Sequence, residues 1–420
     1  MSISSLTISA HTSETQCEDP RATIERRLPR LLVLGDVPVE ETYHGSLLLY
    51  RLLQQYPADK LQIVETGNSS SPKQRLAGAH YHHVRLANPR WLNTRFHKWF
   101  CFWFCHRAKS TKNVLPTGIS CKSFDAVLTV AHGFGWLAAA RIAEDAQKPL
   151  HVIVHDDWPR VAIISETFRG WLDKQFRRVY CQAASRMCVS PGMRSRFLEL
   201  YGKDAEVLFP SRSPLASSFE TPPSRLSQNA QPFTVAFAGT INSEGYVRAL
   251  MALRKAIDEV SGRLLIFGPL DEVAARSYGL DSKNVVIGGL LSPAELLLRL
   301  REEADCLFVP MSFDGADRAN MELAFPSKLA DYTAAGVPLL IYGPDYCSAV
   351  RWARENKGVA EVVDTLEELQ LISALRRLVN EPALRVQMGE RGLSSGQKYF
   401  GAANAQRLLE SALLNSSHSV

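Results

Sequence analysis

Acidic residues are missing from one long stretch of this sequence: between Glu65 and Asp125 there is neither Asp nor Glu. The same interval carries ten Lys/Arg (Lys73, Arg75, Arg85, Arg90, Arg95, Lys98, Arg107, Lys109, Lys112 and Lys122) and five His. A one-signed region of this length seeks an anionic partner: phospholipid, nucleic acid or a phosphorylated substrate. No run of about 18 apolar residues occurs, which argues against a spanning helix. The first residues lack a basic region followed by an apolar one, so no secretory signal is expected and an intracellular chain is. Their Ser/Thr content and early acids suggest a disordered leader over residues 1–28. Among eight scattered cysteines there is no C-x-x-C pair, which leaves a zinc or redox motif little support and fits free thiols in a reducing compartment.

What is present is alternation. Apolar runs at 30–36, 61–65, 124–133, 149–159, 186–190 and 205–210 read as buried strands, with helical spacing between them. Residues 211–232 interrupt the pattern with polar residues and four prolines, as a linker would. Strands resume at 233–239, 263–268, 284–289, 306–310, 338–343 and 359–364, and the chain is helical from 366 onward. Strand–helix alternation implies parallel sheets covered on both faces. The expected organisation is α/β: an N-terminal doubly wound, Rossmann-like domain at 29–212 and a linker at 213–232. A second such domain follows at 233–395, and a helix at 396–413 returns to the first domain. Ligands in such sheets bind beyond the carboxyl ends of the strands, here in the cleft between domains.

The stretch "FPSKLADYTAAGVPLLIYG", residues 325–343, carries the most chemistry. Pro326 suits a first helical turn and Gly336 a helix end. Ser327, Lys328 and Asp331 share one face, so free N–H groups, a positive dipole end and an ammonium converge as an anion site. Asp331, one turn in, is placed to accept hydrogen bonds from sugar hydroxyls. The plainer alternative is a capped surface helix with a Lys328–Asp331 pair.

This stretch resembles the donor-site helix of GT-B glycosyltransferases, especially the retaining enzymes related to glycosyltransferase family 4. Asp331 stands at the acidic position that binds the nucleotide ribose there, and Pro326 and Lys328 match a P-x-K upstream of it. "LGDVPVEETYHGSLLLYRLL" resembles the family's first strand, loop and helix, which places Gly45 and Ser46 on the acceptor side. "FAGTI" resembles the loop where backbone approaches the donor diphosphate, which implicates Gly239 and Thr240. The resemblance implies a GT-B fold, two Rossmann-like domains facing a central cleft, and transfer of a sugar from a nucleotide sugar. Two departures stand out. The family's first acidic residue would fall at Leu323, with Glu322 one place off, and its Arg/Lys pair after the "G-T" loop is replaced by Arg248, Arg254 and Lys255. More weight therefore falls on Lys328. No D-x-D triplet occurs, so no metal or other cofactor is expected and the diphosphate is neutralised by Lys328 and backbone N–H groups. His155, ending an N-domain strand, reads either as a catalytic residue near the transferred sugar or as a structural histidine. Glu322 is the other catalytic candidate. His80, His82 and His83 read as surface residues on a strand edge in preference to metal ligands.

"RFHKWFCFWFCHRAK", residues 95–109, places seven apolar residues, Trp99 to Cys105, between basic clusters. One reading packs Trp99, Phe102 and Trp103 on the sheet as an amphipathic helix. Yet seven apolar residues circle the whole helix. The favoured reading buries one side and sets the other against an anionic membrane through Arg95, Lys98, Trp99, Trp103, Phe104, Arg107 and Lys109. The partners implied are a nucleotide sugar and a membrane-associated, lipid-linked or glycan acceptor, at the cytoplasmic face of a membrane. Two rivals are a catalytically weak GT-B-like binding or assembly module and a nucleic-acid-binding enzyme using the basic span 66–124. The contiguous aromatics, not interleaved along a groove, speak against the second.

Overall fold

The computed structural model describes residues 20–41, 44–67, 74–86, 94–108, 114–162, 164, 166–229, 232–241 and 243–416. Two parallel sheets organise them. In the N-domain β1 (Leu31–Gly35), β2 (Leu61–Glu65), β3 (His80–His83), β4 (Ala126–Val130), β5 (Leu150–Val154), β6 (Ser185–Cys188) and β7 (Glu206–Val207) stand in the order β3-β2-β1-β4-β5-β6-β7. In the C-domain β8 (Thr234–Ala238), β9 (Arg263–Phe267), β10 (Val285–Gly289), β11 (Cys306–Pro310), β12 (Leu339–Tyr342) and β13 (Ala360–Val363) stand as β10-β9-β8-β11-β12-β13. Every residue of β1, β4, β5, β8 and β11 is buried, as continuous apolar strands covered on both faces require. Strand order reverses beside β1 and β4 in one sheet and beside β8 and β11 in the other. The carboxyl ends at these switch points are where a ligand meets such a sheet.

The apolar run 95–109 forms the helix His97–Ala108. Cys101 and Ala108 are buried and Phe100 and Trp103 pack partly against the N-domain core. Trp99 and Phe102 are 63% and 62% exposed, and Phe96 just ahead is 55% exposed. The reading that packs Trp99 and Phe102 on the sheet is therefore overturned. The small Cys101 and Ala108 let the helix lie close to its neighbours, and Trp99 and Phe102 on the other face are not covered by any of the described residues. The side chain of Phe104 and all of Lys109 lie outside the described residues.

Three boundaries move. The leader falls outside the described residues only up to 19; Pro20–Arg27 is a helix, held by an Arg21–Glu410 ion pair at 2.5 Å, with Leu28 buried behind it. The polar segment after Arg212 is laid against the C-domain, because later arginines satisfy its carbonyls: Arg301 donates to Thr221 at 2.6 Å and Arg385 to Leu226 at 3.2 Å. Arg225 pairs with buried Asp305 at 2.6 Å. At the other end the helix Pro382–Phe400 stops at Gly401, and a separate helix, Ala402–Ser416, crosses to the N-domain. There Ala405, Leu409 and Leu413 pack with Leu31, Val33, Leu49 and Leu53.

Candidate functional site

The donor-side elements meet around β8. Its last residue, Ala238, is fastened to the helix Lys328–Ala335: the Ala238 amide donates to the Tyr332 hydroxyl at 2.6 Å, and that hydroxyl donates to the Ala238 carbonyl at 3.2 Å. The next residue, Gly239, takes φ +143°, a backbone state that L side chains rarely adopt. Its amide donates to Phe267 at 3.0 Å, and a Cβ built there would stand 3.6 Å from Lys328 Nζ. Lys328 Nζ sits 4.6 Å from the Phe237 ring centroid and 5.0 Å from that of Tyr246. It makes no hydrogen bond or ion pair among the described residues, and its loss of water brings the ammonium down to about 7. The Lys328–Asp331 pair of the plainer reading does not form. Thr240 follows Gly239, partly buried.

Two of the other cations near the loop are paired: Arg248 with Asp314 and Glu244, and Arg254 with Asp258. Lys255 is exposed, and Lys328 is the cation that stands beside Gly239.

Asp331 has a partner that its position in sequence does not announce. Arg51, on the N-domain helix His44–Leu53, holds it with two contacts, 2.9 and 3.2 Å, and also donates to the Ser211 carbonyl at 2.9 Å. Arg212 donates to Ala330 at 3.0 Å and to Thr333 at 3.2 Å; burial lowers its pKa to about 10. Two arginines of the N-terminal half therefore grip the donor helix.

A cavity of about 260 Å³ opens between the domains, lined by Gly45, Arg51, His155, Asp156, Ser327 and neighbouring residues. Gly45 lies against His155: a Cβ there would stand 3.3 Å from the imidazole Cε1. Ser46, by contrast, is buried beneath the helix start. His155 Nε2 lies 3.1 Å from Asp156 Oδ2 and 3.3 Å from His132 Nδ1, while His155 Nδ1 is buried without a partner among the described residues. Burial pushes the Asp156 carboxyl up, but hydrogen bonds from His132 and His155 outweigh it and hold the group well below the usual carboxylate range. Glu322 lies elsewhere. It lines a larger cavity, about 670 Å³, with Asp157, Arg160, Arg196 and Arg351, and its carbonyl accepts from Arg351. The structure brings Gly45, His155 and Ser327 together and Lys328 to Gly239; it leaves Ser46 and Glu322 apart from them.

Sequence reasoning missed Arg51, His132 and Arg212. His132 had a legible signal, standing just past β4 at the switch point; Arg51 and Arg212 had none.

No family model and no curated protein matches the sequence. Solved structures do match. HepE from Anabaena, in complex with UDP and glucose, superposes with TM-score 0.63 at 12% identity, over 92% of this chain and 99% of that one. Sucrose-phosphate synthase from Thermosynechococcus elongatus gives 0.66 at 12% identity, over 93% and 100%. The α,α-trehalose 6-phosphate synthase from Burkholderia multivorans gives 0.62 at 13% identity, over 93% and 98%. The fold is GT-B. The GT-B expectation thus holds over nearly the whole chain, in both domains and their relative placement.

Proposed function

We propose that the protein is a nucleotide-sugar-dependent glycosyltransferase that retains anomeric configuration. It needs no metal on the donor diphosphate and takes a membrane-associated or glycan acceptor. The observation that carries this reading is the unpaired Lys328 ammonium beside Gly239, at the carboxyl end of β8. The leaving diphosphate lies there, with Lys328 and the first amides of the donor helix meeting the charge that develops as the glycosidic bond breaks. A carboxylate accepts about four hydrogen bonds, and Arg51 uses two on Asp331. The remaining lone pairs suit ribose hydroxyls. The sugar occupies the smaller cavity, lined by His155 and the half-buried Gly45. HepE was crystallised with UDP-glucose, so UDP sugars are the first donors to test. The acceptor reading rests on the helix His97–Ala108, whose uncovered rings stand among Arg95, Lys98 and Arg107.

Calorimetry with UDP, with and without EDTA, tests the donor half. Binding that survives chelation and weakens in Lys328→Ala supports the reading. Binding that needs Mg²⁺ or Mn²⁺, or that ignores Lys328, ends it. The anomeric proton coupling of a transferred sugar decides retention.

A further inference from the structure

One side-chain cluster brings two imidazoles and a carboxylate together at the cleft. His132 follows β4, His155 follows β5, and Asp156 is the next residue, so three donor atoms meet on the N-domain wall of the cleft. The separations are 3.3 Å for His132 Nδ1 to His155 Nε2, 3.1 Å for His155 Nε2 to Asp156 Oδ2 and 3.7 Å for His132 Nδ1 to Asp156 Oδ2.

Protons cannot satisfy that triangle well. A hydrogen bond joins two atoms, and each of these atoms faces two others. If both imidazoles donate to Asp156 Oδ2, their N–H groups face each other across 3.3 Å and the His132 contact, at 3.7 Å, is too long for a good hydrogen bond. A single cation among the three satisfies all of them at once. The dimensions agree with such an ion: tetrahedral bonds of about 2.0–2.1 Å to nitrogen and oxygen put neighbouring donors about 3.3–3.4 Å apart. Two imidazoles and one carboxylate suit a borderline transition metal and not Mg²⁺ or Ca²⁺, which take oxygen. The rings are also held. Trp158 lies against His132, ring centroids 4.3 Å apart and tilted by 40°, and Gly45 backs His155.

We propose that His132, His155 and Asp156 form a site for a divalent transition-metal ion of the zinc type on the acceptor-side wall of the cleft. None of the three belongs to the helix Lys328–Ala335, so the ion is not a diphosphate clamp, and its binding is read without the donor. His155 and Asp156 line the smaller cavity, so a fourth coordination position on that side takes water or a hydroxyl. Coordination through Nε2 also fixes the His155 tautomer, leaving Nδ1 as an N–H donor beside Gly45.

Cobalt(II) is the probe. Titrated into the wild-type protein, it is expected to bind one equivalent, give the visible d–d absorption of a tetrahedral site, and be displaced by Zn²⁺. His132→Ala and Asp156→Asn, each shown folded by thermal melting, should weaken Co²⁺ binding at least about tenfold. His80→Ala with His83→Ala, on the β3 edge, should leave it unchanged. Absence of Co²⁺ binding by wild type overturns the proposal. So does a near-ultraviolet sulfur-to-cobalt band, which would assign the ion to cysteine, or wild-type affinity in His132→Ala. UDP calorimetry on the same samples reads the donor half separately.

Discussion

Lys328 shows how much one side chain reveals once its surroundings are known. With its free-protein value near 7, it must be protonated to hold a diphosphate. UDP affinity should therefore fall between pH 7 and 9, by up to about tenfold per unit, with proton uptake on binding seen as a buffer-dependent enthalpy. Lys328→Met should abolish that slope and weaken binding by about 1.5–3 kcal/mol. A flat pH profile in wild type would remove Lys328 from the site. Stability has its own sign. The folded value, about 7, lies below the ordinary lysine value of 10.5, so between them the unfolded chain binds more protons and stability rises with pH. Below pH 7 the buried charge is a standing cost that Lys328→Met relieves. The residue type and its place before a helix were legible in sequence. The ring enclosure by Phe237 and Tyr246 was not, because neither ring is near Lys328 along the chain.

At the scale of elements, long apolar runs told the truth. All twelve strands read from them form, since a strand covered on both faces is written as a mostly apolar run. Faces were harder. A helix with seven consecutive apolar residues has no periodicity to say which side is covered, and Cys101 and Ala108, with part of Phe100 and Trp103, turned out to face inward while Trp99 and Phe102 face out. The test follows the exposed side. Trp99→Ala combined with Phe102→Ala is expected to lower affinity for anionic vesicles by about 2 kcal/mol, read by sedimentation, with the melting temperature unchanged. Trp103→Ala should lower the melting temperature, because Trp103 packs partly on the core. Affinity should fall with salt but not vanish. A double variant that binds vesicles like wild type, or that unfolds, would return the aromatics to a structural role.

Across the whole molecule, the domain architecture was legible and the fastening between domains was not. Arg51 and Asp331 are 280 residues apart, and no local pattern couples them. The same holds for the Ser190 hydroxyl, which caps its own helix and donates to the Leu323 carbonyl at 2.6 Å. The Arg51–Asp331 pair is open to a double-mutant cycle. Asp331→Ala strands a buried guanidinium and should cost about 2 kcal/mol, discounted because Asp331 is 34% exposed. Arg51→Met with Asp331→Ala should cost less than the sum of the single changes, as measured by urea unfolding. Additive costs would mean that the two side chains do not communicate.

The crossing of Ala402–Ser416 back onto the first sheet makes the second domain, topologically, an insertion. Chain order and assembly order then differ. The residues that finish the N-domain leave the ribosome only after the whole C-domain has been made. Until they arrive, Leu31, Val33, Leu49 and Leu53 lack the cover of Leu409 and Leu413, each of which is fully buried in the finished protein. A fragment ending at Ser213 should accordingly be poorly soluble and gain a cooperative melt when residues 402–416 are fused to it through a flexible linker. Equal solubility and melting of the two fragments would show that the first domain closes on its own.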